Sequence, residues 1–324
     1  MNTPSVISVA PSPHLSDAQI TTRKMMLDVL LALSPAFAIS VWLFQWYAIK
    51  VILICVLSCW ATEAICARMR KHPIALGDLS ATITGVILGM SLPWNTPWYV
   101  ACIGSVVAIA LGKMAFGGLG MNLFNPAMVG RAFVMLSFAK SVGAAAYQNG
   151  AANLSIVTEA TPLAAAKGAA VVPELWSLFI GNVNGSLGET SAIALLMGGI
   201  YLCIRRSAAW EIPLGVIIGA AVMGGINQLL GLSILTIPAH LFSGALLIGA
   251  FFIATDPCSS PLTVKGKFIF GLGVGLLIVI LRAFSSYPEG VMFAILLMNA
   301  AVPLINRFTV PTPLGGNVPA PKKA

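Results

Sequence analysis

Apolar runs long enough to cross a lipid bilayer recur along this chain from near residue 25 to near residue 308. A helix needs roughly 17–25 such residues to span the hydrocarbon core. Runs of that length occupy 25–45, 47–67, 77–93, 97–115, 124–140, 189–205, 210–230, 236–255, 267–284 and 288–307. Only 9% of the 324 residues are charged, while 58% are apolar. A soluble domain carries about 25% charge, so this chain lacks the polar surface to cover itself in water. The expectation is an all-α integral membrane protein with about ten transmembrane helices and no room for a soluble domain. The polar first twenty residues show no positive, apolar, small-residue succession of a cleaved signal peptide.

Ten spans place both termini on one side, and the basic residues fix which side. With the N-terminus inside, Arg23, Lys24, Arg68, Arg70, Lys71, Lys113, Arg205, Arg206, Lys265, Lys267, Arg307, Lys322 and Lys323 all fall on the cytoplasmic side or at inner helix ends. Only Lys50, Lys140, Lys167 and Arg282 fall outside, and Arg131 lies within a span. The predicted topology is therefore N-in and C-in. The net charge of +8 is then topological and calls for no nucleic acid or other acidic partner. The organisation that follows is a cytoplasmic segment at 1–24, five helices at 25–140, an outer-face loop at 141–188, five helices at 189–308 and a cytoplasmic tail at 309–324. Trp94, Trp98 and Tyr99 flank the short outer turn between the third and fourth spans, where aromatic anchors are expected at the interface.

Little in the chain suggests a metal. The six cysteines lie mostly inside apolar runs. Cys55 and Cys59 share a helix face, a spacing open to a metal or iron–sulfur ligand pair but commoner for small packing residues. The three histidines have no metal-ligand spacing.

Two short patterns recur. GDLSA at 77–81 is echoed by GETSA at 188–192, and NLFNPAMVGRAF at 122–133 by HLFSGALLIGAF at 240–251. The offset is three helices, an odd number, so the two copies would run through the membrane in opposite directions. Inverted-topology repeats of this kind commonly form a binding site at their interface. Within the first copy, GGLGMNLFNP at 117–126 holds three glycines, two asparagines and a proline. Pro126 has no amide donor and pushes Asn125 out of helical geometry. A broken or re-entrant helix is expected there, buried in protein or lining a cavity. Asn122 and Asn125 would either offer their amides to a ligand or satisfy the backbone groups freed by the break. Charges at membrane depth are costly and often mark ion routes. Asp28, Glu63, Asp78, Glu189, Arg131 and Asp256 sit within or at the ends of spans. Asp78 and Glu189 open helices, where a carboxylate caps well. Arg131 and Asp256 are candidates for ion coupling, with Arg131 also suited to a carboxylate or to a ligand phosphate or carbonyl.

The outer loop carries SIVTEATPLAAAK at 155–167. Pro162 biases Thr161 toward an extended backbone, which would turn its hydroxyl away from the chain. By themselves such threonine–proline pairs usually mark only a turn.

Taken together, SPH at 12–14, GDLSATITGVIL at 77–88, NLFNPAMVGRAF at 122–133, TEATPL at 158–163, GETSA at 188–192 and ATDPCSSP at 254–261 resemble the D subunits of Rnf (Rsx) electron-transport complexes. More distantly, they resemble the B subunit of the sodium-translocating NADH:quinone oxidoreductase. In that family a flavin transferase joins FMN through its phosphate to the last threonine of D-x-x-[S/T]-G-A-T. The resemblance places that motif on residues 155–161 and implies covalent FMN at Thr161, with Thr158 at the hydroxyl position three before it. Ser155 stands where the pattern has aspartate and Glu159 where it has glycine. The resemblance also implies a second, non-covalent flavin, riboflavin, for which Asn122 and Asn125 are the candidate contacts.

The implied function is that of a flavoprotein subunit, not catalytic alone, in an ion-translocating oxidoreductase of a bacterial inner membrane. Its flavin loop would face the periplasm, and its partners would be the complex's A, B, C, E and G subunits together with the flavin transferase. The ring would perform the redox step, while the loop supplies position and electrostatic tuning. The alternative is a stand-alone channel or transporter for a small solute, which inverted repeats and broken helices suit equally well. The attachable threonine discriminates, because a transporter has no use for it.

Overall fold

A computed structural model of the chain describes residues 21–71, 76–142, 161–168, 174–181, 183–231, 234–285, 287 and 289–311. The described residues are helical, with no strand among them. The helices are α1 (Thr22–Phe44), α2 (Trp46–Met69), α3 (Ser80–Ser91), α4 (Trp98–Ala110), α5 (Pro126–Ser137), α6 (Ala139–Val142), α7 (Pro162–Gly168), α8 (Leu175–Ile180), α9 (Ala192–Ile204), α10 (Glu211–Leu229), α11 (Ile237–Phe242), α12 (Leu246–Ile248), α13 (Val264–Phe284) and α14 (Val291–Thr309). Their starts follow local sequence chemistry. Thr21, Asn125, Ser191 and Thr263 cap α1, α5, α9 and α13 by accepting backbone N–H groups of the first turn.

Every apolar run carries helix, but the runs are not alike. Among the described residues six helices are long and apolar enough to cross a membrane, α4 among them once its continuation to Phe116 is included. By contrast α3, α5 and α9 have 12, 12 and 13 residues. At about 1.5 Å per residue they reach only about 18–20 Å, against a hydrocarbon thickness of about 30 Å. The run at 236–255 is split into α11, α12 and a π-helical turn at Gly249–Ile253. So four of the ten expected spans hold short or interrupted helices, and both copies of the N/H-LF repeat contain a break. Asn125 and Pro126 make the first. Ser243 and Gly244 make the second, with Gly244 at φ +66° and its Cα against the Glu289 carboxylate, leaving no place for a side chain.

The core is built from small residues, so that helix backbones touch. A Cβ on Gly275 of α13 would collide with the Val216 carbonyl of α10, the close approach that membrane helices use in place of a hydrophobic drive. Large apolar side chains such as Leu31, Leu57, Ile200, Val222, Ile269 and Leu297 point outward instead. A soluble protein rarely exposes apolar surface on that scale, and a bilayer is the solvent that accommodates it.

Burial sorts the remaining expectations. Trp98 and Tyr99 are exposed, but Trp94 is buried edge-on to Tyr47 at 5.2 Å and is not an interfacial anchor. Asp28 is held by Ser207 Oγ (2.7 Å) and Arg205 (3.5 Å). Glu63 pairs with Lys113 at 2.6 Å. Asp78 accepts from Ser80 N and Oγ and so fixes the start of α3. Glu189 is not the cap of α9, a role filled by Ser191. Cys55 and Cys59 are fully buried, with Cys59 packed on Ala81 and Ile109.

Candidate functional site

Two clefts lie along the broken segments. The first, an asparagine cleft of about 790 Å³ including its mouth, is lined by Ser80, Lys113, Asn122, Asn125, Phe252 and Asp256 among others. The second, a threonine cleft, is lined by Arg131, Thr161, Asn184, Glu189, Gly244 and Glu289 with apolar neighbours. Helix α5 serves both. Asn125 at its start faces the first cleft, and Arg131, six residues or about 9 Å further along, faces the second.

In the asparagine cleft the break itself consumes much of Asn125. Its Oδ1 accepts from Ala127 N and Met128 N, and its Nδ2 donates to the Ile253 carbonyl at 3.2 Å. Asn299, in the orientation that satisfies its amide, accepts from Asn125 N and donates to the Ser259 carbonyl, 3.1 Å each. Asn125 therefore ties the two broken segments together and keeps one Nδ2 hydrogen to offer. Asn122 is freer: Nδ2 donates to Phe124 O at 3.1 Å, and the side chain lies beside Asp256. Asp256 accepts from Cys258 N (3.3 Å) and Ser259 Oγ (2.9 Å), an Asx-type turn that orders ATDPCSSP. Lys113 enters from α4's end and donates to both Glu63 Oε1 and Ser80 Oγ at 2.6 Å.

In the threonine cleft Thr161 is half-buried at the start of α7. Its Oγ1 accepts one long contact, 3.3 Å from Ala164 N, which leaves the hydroxyl proton uncommitted. Ser155, Thr158 and Glu159 lie outside the described residues. Lys167, six residues on, donates to the Ser285 carbonyl and to Tyr287 O at 3.1 Å and so docks α7 on the α13–α14 connection. Burial pushes the Lys167 ammonium pKa down. Glu289 accepts from Arg282 (3.2 Å) and from Ala245 N (3.1 Å), and Arg282 also donates to the His240 and Ser243 carbonyls. This set satisfies the backbone freed at Ser243–Gly244. Arg131 differs. It is 9% exposed, and its Nη1 is buried with no hydrogen-bond partner. An orphaned buried cation lining the same cleft as a threonine fits a phosphate-bearing group.

Of the sequence candidates, Thr161 and Arg131 thus share one cleft, while Asn122, Asn125 and Asp256 share the other. Lys113, Glu289, Asn184 and Asn299 were not singled out as site residues by sequence. Lys113 gave no signal beyond its sidedness, and Glu289 sits in YPEG, a stretch with no motif.

The architecture defines a multi-pass membrane protein in which short, interrupted helices line clefts that hold a few buried polar side chains. The chain matches the NQR2, RnfD, RnfE family over residues 8–315 and belongs to it. It is 42% identical over 307 residues to the D subunit of the Na(+)-translocating ferredoxin:NAD(+) oxidoreductase complex of Acetobacterium woodii, covering 94% of this chain and 93% of that one. It is 39% identical over 326 residues to the D subunit of the proton-translocating ferredoxin:NAD(+) oxidoreductase complex of Clostridium ljungdahlii, covering 96% and 97%. It is 35% identical over 348 residues to the D subunit of the ion-translocating oxidoreductase complex of Klebsiella pneumoniae, covering 96% and 99%.

Proposed function

We propose that this chain is the D subunit of an ion-translocating ferredoxin:NAD oxidoreductase complex and carries electrons on FMN joined through its phosphate to Thr161. The observation that carries this reading is the position of Thr161, which lines a cleft that also holds a buried cation with an unpartnered nitrogen. Bound FMN supplies a ring that accepts and releases electrons. The chain supplies the attachment oxygen at Thr161, a helix α7 anchored through Lys167, and a water-excluding wall of Met135, Val142, Leu163 and Leu178. A soluble flavin on the outer face would be lost without such a tether.

Riboflavin is the proposed occupant of the asparagine cleft, with Asn122, Asn125 and Lys113 as its polar neighbours. Asp256 is proposed for ion coupling, since it lies in that cleft on the turn following the broken helix. The proposed topology is ten passes, N-in and C-in, in a bacterial inner membrane, with Thr161 facing the periplasm and the rest of the complex docked on the exposed helix faces. One repeat-equivalent pair supports the inversion: Pro126 of the first copy lines the asparagine cleft, whereas Gly244 of the second lines the threonine cleft.

The test is co-production with a flavin transferase, followed by denaturing gel electrophoresis viewed under ultraviolet light. The unsubstituted chain is expected to give a fluorescent band that persists in Thr158→Ala and vanishes in Thr161→Ala. A dark band from the unsubstituted chain refutes the flavoprotein reading and favours the stand-alone transporter.

A further inference from the structure

We infer that Arg131 binds the phosphodiester when FMN is attached, which rests on the reading of Thr161 as the attachment point. The other buried cations of the described residues have partners: Lys113 has Glu63 and Ser80, and Arg282 has Glu289 and two carbonyls. Arg131 forms no ion pair among the described residues, and its Nη1 is sealed from solvent without a partner. A guanidinium cannot shed its proton, and a buried charge without a paired counter-charge is strongly destabilising. The chain keeps one here, and the cleft it faces contains Thr161.

The carboxylates of the cleft do not meet that need. Glu289 spends one oxygen on Arg282 and the other on Ala245 N. Glu189 is near enough to feel the Arg131 charge, but it approaches Ser186 N at 3.5 Å and lies outside ion-pair distance of Arg131. A phosphodiester offers what is missing: one negative charge on two non-bridging oxygens, matched to the planar donor fork of arginine. The fork is held in place by its helix. A Cβ on the preceding Gly130 would collide with the Gly104 carbonyl and approach Ala108 Cβ at 2.8 Å, so α5 is pressed against α4 and the backbone from which Arg131 extends is fixed. Arg131 thereby fixes the flavin end of the tether at the cleft, at a depth set by α5 rather than by the loop.

The experiment compares the full chain with Arg131→Gln, Arg131→Lys and Glu189→Gln, each co-produced with the flavin transferase and purified in detergent. Two quantities are read: flavin fluorescence per chain on denaturing gels, and the amplitude of flavin wobble by time-resolved anisotropy in the native protein. Arg131→Gln is expected to lower labelling about tenfold, the loss expected for a charge-assisted contact, or to leave the attached flavin with a larger wobble. Arg131→Lys, which keeps the charge and loses the fork, is expected to fall between. Glu189→Gln removes a competing carboxylate and is expected to move both readouts the opposite way. Labelling and wobble in Arg131→Gln equal to those of the parent overturn the inference. So does a Glu189→Gln chain that reproduces the Arg131→Gln loss, since Arg131 then serves Glu189. Thermal unfolding of each purified variant separates a misfolded chain from a weakened contact. A misfolded Arg131→Gln together with a stable, normally labelled and normally ordered Arg131→Lys also counts against the phosphodiester role. A parent chain with no flavin at all refutes the Thr161 reading itself, and this result is distinct from all the others.

Discussion

Replacing Lys113 with Met gives the sharpest energetic prediction. The ammonium sits 2.6 Å from Glu63 Oε1 and 2.6 Å from Ser80 Oγ, with side-chain exposures of 3% for Lys113 and 6% for Glu63. Glu63 Oε2 is already buried without a partner, so removing the ammonium strands the whole carboxylate. Breaking a buried pair from one side costs about 3–5 kcal/mol, whereas replacing both members by apolar groups of similar volume is often neutral. The expected outcome for Lys113→Met is therefore a loss of about 3–5 kcal/mol, with most of it recovered in Lys113→Met/Glu63→Leu. Denaturant titration of the detergent-solubilised protein followed by circular dichroism measures both. Because Ser80 joins Lys113 to Asp78, the single variant should also loosen the start of α3 and the wall of the asparagine cleft. A Lys113→Met chain within about 0.5 kcal/mol of the parent, or a double variant no more stable than the single, refutes the reasoning. Either result would mean that water reaches the pair.

Three further outcomes follow from the breaks and the topology. Gly244→Ala forces a side chain into left-handed backbone, a cost of about 1–2 kcal/mol. The new Cβ would also meet Glu289 and come within 2.7 Å of Leu163, so thermal stability and labelling at Thr161 should fall together. Asn125→Ala removes the cap of α5, worth about 1 kcal/mol, and orphans the Ile253 carbonyl, worth about 1–3 kcal/mol more. Asn125→Ser should keep the cap and lose only the second contribution, a difference the same denaturant titration resolves. A reporter active only outside the cytoplasm, fused near residue 165, should be active, and a cytoplasmic signal overturns the N-in assignment.

Class, helical content and the position of every apolar run were determined by the sequence alone, because lipid leaves a backbone so few ways to satisfy its polar groups. Pro126 announced the first break for the same local reason: a residue without an amide cannot continue a helix. The family, too, was legible in short motifs, and the match over residues 8–315 agrees. What the sequence could not assign was partnership. Asn122 and Asn125 look equivalent as letters, yet Asn125 spends its amide on Ile253, a residue 128 positions away. Trp94 and Trp98 sit in one turn, yet one is buried against Tyr47 and the other faces outward. Glu189 opens a helix run but leaves the capping to Ser191. Only the tertiary structure brought Arg131 to the cleft of Thr161, thirty positions on, and showed its buried nitrogen without a partner. Local rules act over a helical turn or a peptide plane, whereas the worth of a buried polar group depends on which distant atom faces it, and packing alone decides that.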